Sequence, residues 1–232
     1  VNLAQIRDLA RKKADEEATG FVDNDEANSY VNEGVQFIYG KIVQRFELFF
    51  CVPGTSLNGG LITIVNNQQA YDLPSTLLKL VRVERRNLND SNDNNWRKLM
   101  RLNIGNDQIN DFFPIREGRD QGFGYFISGN KIYLRPVPSA GFDLRMWFIP
   151  KAEELVNDTD ETTIPSEYHR LIADYAVLQI LRKSGEGIWK ESAELFQQHL
   201  NHLLDTIEYR SQEPEQMTVT DDYDFDRWIG SR

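Results

Sequence analysis

Four stretches of the chain repeat apolar residues every three or four positions, and the region between the second and the third alternates them every second position. Leu3, Ile6, Ala10 and Ala14 predict a first amphipathic helix, closed by Gly20 as a C-terminal glycine can do. Asp23 with Glu26 three positions on is a capping-box pattern, and Val22 stands where a hydrophobic staple would, so a second helix is predicted to start there. Its stripe runs Val31, Val35, Ile38, Ile42 and Phe46, until Val52-Pro53-Gly54 ends the run. A third helix follows Thr163-Ile164-Pro165, with Pro165 at the first helical position and Tyr168, Leu171, Ile172, Tyr175, Leu178 and Leu181 on its buried side. Gly185-Glu186-Gly187 breaks it. Trp189, Ala193, Phe196, Leu200, Leu203 and Ile207 then form a heptad-like seam on a fourth helix.

From Gly60 the period changes to two, and Asn, Asp and Gly clusters punctuate short apolar runs. Strands are predicted near Leu61–Val65, Ala70–Asp72, Leu78–Arg86, Phe123–Ile127, Lys131–Arg135 and Phe142–Ile149, with Ser128-Gly129-Asn130 as a hairpin turn and Asn103–Phe112 as a short helix. The expected fold is α+β: a four-helix bundle built from the N- and C-terminal helices, with an inserted antiparallel β subdomain and an extended C-terminal arm. The expected division is 1–55 and 161–213 for the two parts of the bundle, 56–160 for the β-rich subdomain and 214–232 for the arm. Within that arm Tyr223, Phe225 and Trp228 stand among aspartates, and large apolar side chains in an acidic tail are suited to docking on another protein.

With 232 residues, 40% of them hydrophobic, the chain can bury a sizeable core without metals or disulfides. The lone Cys51 reads as a buried thiol and fits a reducing compartment such as a cytoplasm. The first residues lack the apolar core of a signal peptide, and no apolar run approaches the roughly 20 residues of a membrane span. A formal charge of −10 argues against tight binding to a phosphate backbone. The one basic cluster, Arg82, Arg85 and Arg86, contains Glu84 and reads as a solvated strand face.

Candidate chemistry fails on named residues. His199 and His202 have the wrong spacing for a zinc protease helix and read, like His169, as ordinary helix residues. The acidic runs Asp90–Asn94, Asp158–Thr162 and Asp222–Asp226 lack the glycine of a calcium loop, replaced by Asn95, Thr163 and Arg227, and read as solvated loops or tail. Gly118, Gly122 and Gly124 do not make a phosphate loop, and Ser56 lacks the closing glycine of a nucleophile elbow. No catalytic, cofactor-binding or metal-binding residue is therefore expected. A catalytic alternative, a hydrolase or ligand-binding enzyme, would place its site in the β subdomain around Arg116, Arg119 and Tyr125.

The order of several local phrases resembles the bacteriophage head-to-tail adaptor (connector) proteins of tailed phages. They are Val22-Asp23 leading to Tyr30-Val31-Asn32-Glu33, Tyr71-Asp72-Leu73-Pro74 followed by Leu80–Val83, Lys131–Pro138, Leu144–Phe148, and Ile164–His169 before Ala173–Ala176. The resemblance spans most of the chain and leaves out the tail beyond Pro214. It implies a structural virion protein at the head-tail junction, assembled in the host cytoplasm, with no membrane partner. It further implies a ring of about twelve copies joining the portal protein to tail or nozzle proteins and extending the DNA channel, so that DNA passes without sequence-specific binding. Tyr223, Phe225 and Trp228 would then anchor the arm on the portal or on an adjacent subunit.

Overall fold

The computed structural model describes residues 1–15, 21–88, 90, 92, 95–103, 124–185 and 189–211. Its α-helices are α1 (Leu3–Lys13), α2 (Asn24–Arg45), α3 (His169–Ser184) and α4 (Trp189–Ser211). Between α2 and α3 run β1 (Val52–Pro53), β2 (Leu61–Ile64), β3 (Ala70–Asp72), β4 (Leu77–Asn87), β5 (Arg97–Lys98), β6 (Met100–Arg101), β7 (Gly124–Ser128), β8 (Lys131–Arg135) and β9 (Phe142–Pro150).

The fold is α+β, but it is not a four-helix bundle. The helix α1 has 11 residues against 22 in α2, about 16 Å against about 33 Å, so it cannot run the length of a bundle. Helices α1, α2 and α4 each pack on α3, and α1 has no comparable contact with α4 to close the ring of four. The buried side of α1 is also partly polar. Arg7 donates to Asn28 Oδ1 (3.2 Å) and Asp158 Oδ1 (2.8 Å), and Arg11 donates to the Val22 carbonyl (2.8 Å) and Asn24 Oδ1 (3.1 Å). The space a bundle would fill with a fourth apolar seam is shared with the sheet, which sends Ile149, and after it Leu155, into the helical core.

The described strands form two sheets. The first has five strands, with β9 between β4 and the short strands β1 and β2, and β5 at the edge beyond β4. The second runs β3, β8, β7, β6. Its β6–β7 pair is parallel, so the β-rich part is not purely antiparallel as expected, although β7–β8 is the predicted hairpin across Gly129-Asn130. The sheets share one core because strand alternation turns Val83, Leu144, Met146 and Phe148 of the first toward Tyr71, Tyr125, Ile132 and Leu134 of the second. Strands β1, β5 and β6 carry too few residues to show a period. Asn103 apart, the expected helix Asn103–Phe112 lies outside the described residues, as does Phe123.

Several helix ends depart from expectation for polar reasons. Asp23 caps α2 through the Glu26 amide (2.8 Å), and Val22 packs with Ala27 as the staple predicts. The Glu26 carboxylate, however, bonds the Tyr30 hydroxyl (2.7 Å) and Lys183 Nζ (2.6 Å) instead of completing the box, which ties α2 to the end of α3. Pro165 opens a 3-10 turn, Ser166–Tyr168, and α3 begins only at His169, whose Nε2 donates to the Ile164 carbonyl (2.7 Å). Gly185 ends α3 at φ 76°, a conformation that glycine adopts without a Cβ penalty. At Gly34 an added Cβ would stand 3.2 Å from Tyr175, so the bare backbone allows α2 and α3 to approach closely.

Helices and sheets are joined at the chain leaving β9. The Tyr39 hydroxyl donates to the Pro150 carbonyl (2.7 Å), and burial raises its pKa to about 12. Asn32 bonds both backbone groups of Leu155, its Nδ2 to the carbonyl and its Oδ1 to the amide, each at 2.9 Å. Further along, the run Asp158–Thr162 is a solvated loop, with Asp158, Thr159 and Glu161 exposed, whose backbone also clasps α1. Leu3 and Ala4 donate their amides to the carbonyls of Asp160 (2.9 Å) and Asp158 (3.2 Å), while Asp160 is itself held by the amides of Val156 (2.9 Å) and Asn157 (2.8 Å).

Replacing Asn32 by Ala leaves the Leu155 amide and carbonyl without their partner, so denaturant unfolding is expected to show a loss of about 1–3 kcal/mol. Asp160 supplies a pH test. The backbone hydrogen bonds from Asn157 and Val156 hold its pKa below the ordinary 3.8. Its contribution is complete above that ordinary value and fades as pH falls through the lower folded-state value. Amide protection at Leu3 and Ala4 is expected to drop in Asp160→Asn at neutral pH, and the difference from wild type should vanish in strong acid.

Candidate interaction surfaces

Alternation along β4 and β9 turns a second set of side chains away from the sandwich core. In β4 these are Arg82, Glu84 and Arg86, and in β9 they are Trp147, Arg145 and Asp143, paired in that order across the strands. The residue Glu84 is only 5% exposed, and its carboxylate is surrounded by donors. Arg82 approaches Oε1 at 2.5 Å, and Oε2 accepts from Arg145 Nε (3.1 Å) and Nη2 (2.9 Å) and from Trp147 Nε1 (2.8 Å). Asp143 accepts from Thr63 Oγ1 (3.1 Å) and pairs with Arg86 (3.4 Å). Trp96 lies across the guanidinium groups of Arg145 (4.2 Å from the ring centroid) and Arg86 (4.6 Å), and Arg82 lies over Trp147 at 5.2 Å.

The basic cluster is therefore an interlocked layer around a buried carboxylate and not a freely solvated face. Desolvating Glu84 is tolerable only because two guanidinium groups and an indole satisfy it. Register places the exposed Lys98 opposite Glu84, so the face carries four cations, Arg82, Arg86, Arg145 and Lys98, against the carboxylates of Glu84 and Asp143. At its edge Arg85, Arg86, Asn87, Asp90, Asn95 and Arg97 line a polar cleft of about 110 Å³. The cationic excess stands out on a chain of net charge −10.

Two other concavities are built differently. A cleft of about 450 Å³ lies between α3 and α4, with Asp174 paired to Lys13 and to His199 Nδ1 (3.4 Å), and with His202 and Arg170 also lining it. Among the described residues no group of three or more His, Cys, Asp or Glu could hold a metal ion. A smaller apolar cleft of about 260 Å³ opens where helices meet sheet, lined by Tyr39, Phe49, Phe50, Cys51 and Pro150. Leu48 in the same turn is 63% exposed. Cys51 is half-buried, and burial raises its thiol pKa.

Of the residues singled out from sequence, Tyr223, Phe225, Trp228, Arg116 and Arg119 lie outside the described residues. Tyr125 belongs to the core between the sheets at 5% exposure, where burial raises its phenol pKa. The structure thus assigns the described member of the catalytic alternative a packing role. Of the run at Asp90, the Asp90 carboxylate accepts from the Asn92 amide (3.0 Å) and Asn95 Nδ2 (2.6 Å). The Glu84 layer was missed because a carboxylate flanked by arginines reads as solvated in one strand. The signal that reveals it is the second alternating strand, Asp143-Leu144-Arg145-Met146-Trp147, whose polar row matches that of β4 only once the register is known.

Glu84→Ala removes the acceptor while leaving its donors in place, and a loss of about 3–5 kcal/mol is expected on chemical unfolding. Trp147→Phe removes one donor to an already satisfied carboxylate and should cost far less. Comparable losses in the two variants would mean that the carboxylate is not the centre of the layer.

Comparison with known families matches residues 1–221 to the SU10 adaptor protein family. Comparison with curated proteins finds no match.

Proposed function

The chain belongs to the SU10 adaptor protein family, and on that premise we propose that it is a non-enzymatic structural connector of a phage virion. The observation that carries this reading is the extent of the family match, which includes the four helices and two sheets of the described residues. In this reading copies of the chain form a closed ring, of about twelve subunits, between the portal protein and the tail or nozzle proteins. Rings of this kind repeat one head-to-tail interface, and that requires two different surfaces on each subunit. The site is the head-tail junction, reached after assembly in the host cytoplasm.

The C-terminal arm is assigned the attachment role. Tyr223, Phe225 and Trp228 bring large apolar area to a segment otherwise rich in carboxylates, the composition of an anchor and not of a solvating tail. The net charge of −10 supports a channel wall that repels phosphates and lets DNA slide. That excess is a property of the whole chain, and in this reading the cationic layer around Glu84 belongs on a face away from the DNA path.

Electron microscopy of particles made with a chain lacking residues 215–232 tests the reading. Particles are expected to lack density for the chain at the head-tail junction, while the truncated protein keeps wild-type circular dichroism. Normal attachment of the truncated chain would refute the role of the arm, and absence of the full-length chain from particles would refute the connector reading itself.

A further inference from the structure

The charges of this protein are separated along the chain as well as on its surface. Glu213, Glu215, Asp221, Asp222, Asp224 and Asp226 crowd the C-terminal segment, while Arg82, Arg86, Arg145 and Lys98 gather on the outer face of the five-stranded sheet. Aspartates alternate there with aromatic residues along the sequence, so that an extended backbone would set Asp222, Asp224, Asp226 and Trp228 in one row and Tyr223 and Phe225 in the other. The sheet face offers the complement of the first row, cations interleaved with the indoles of Trp96 and Trp147.

The point where the segment begins suits this pairing. Near the end of α4, Asp205 pairs with Arg45 (3.5 Å) in the last turn of α2, and Ile207 is buried in the helical core. Chain continuing from Arg45 reaches β1 at Val52, which pairs with Phe148 of β9. The end of α4 is thus held against the end of α2, which residues 46–51 link to β1 of the five-stranded sheet. The nine-residue reach from 212 to 220, at roughly 3.3 Å per residue, is about 30 Å, enough to cross to a neighbouring molecule.

We propose that the row Asp222, Asp224, Asp226 and Trp228 of one copy docks on the Arg82–Arg86 and Asp143–Trp147 face of the next copy in the ring. This rests on the connector reading above and names the surface that receives the arm. An acidic segment and a basic face are two different, mutually complementary surfaces, as a head-to-tail ring requires. The second row, Tyr223 and Phe225, is left to meet the portal. Duplex DNA is a poorer occupant, because Glu84 and Asp143 within the face already offset two of its four cations, and phosphate binding depends on uncompensated ones.

Particles carrying a full-length chain with Cys51→Ala, Lys98→Cys and Asp224→Cys test the proposal after mild oxidation. The expected result is a ladder of covalently linked copies on denaturing gels, absent when either new cysteine is left out. A chain present in particles but yielding only internally bridged monomer, or no bridge, overturns the docking proposal and leaves the connector reading intact. A chain absent from particles even as wild type ends both. In a second measurement, Lys98→Glu is expected to lose attachment and Asp224→Lys to restore it in the double variant. Failure of that rescue, with a loss of duplex DNA retention in Lys98→Glu alone, would assign the face to nucleic acid instead.

Discussion

The hydrogen bonds with which α2 holds the chain leaving β9 are the constraint on which the rest of the structure depends. The strand β9 is the spine of the five-stranded sheet, with β4 on one side and β1 and β2 on the other. Its inner side chains form the core between the sheets, and its last residues pass into the helical core. Tyr39 and Asn32, seven positions apart and so on one side of α2, hold that passage at Pro150 and Leu155. Once this joint is made, the orientation of the helices against the sheet is set. The clasp on α1 follows a few residues later, and α3 is delivered beside α2.

The same strand decides where the charge goes. With Leu144, Met146 and Phe148 turned inward, Asp143, Arg145 and Trp147 must point out, and the β4 register brings Glu84 among them. A buried carboxylate is stable only where donors surround it, so the layer is fully paired at its centre and cationic at its rim. In the proposed connector such a layer has two tasks. The interior pairing of Glu84 keeps the body folded, while the cationic rim is left as the face that the proposal offers to a neighbour.

Much of the fold was legible from the chain alone because periodicity reports burial. The stripe Val31, Val35, Ile38 and Ile42 is buried in α2, and Phe196, Leu200, Leu203 and Ile207 are buried in α4. Asp23 and Gly185 mark helix ends for reasons of local backbone chemistry. Period could not show which helices touch. A stripe states that a face is covered and not by what, and it was this gap that let four helices be read as a bundle. In fact α3 gathers the others, and the sheet takes part of the core.

Polar residues are harder to place for a related reason. Arg7, Arg11 and Glu84 are buried, and the backbone at Asp158 and Asp160 clasps α1, although nothing in the local sequence shows it. Their partners, among them Asn28, Asp158, Arg145 and Trp147, lie far away along the chain or on another strand. The sequence by itself determined the four long helices, the longer strands and their order, because propensity, capping and period act over a few residues. Only the tertiary structure decided which charges are paired and which face remains cationic, because a buried ion is tolerated only when distant residues converge on it.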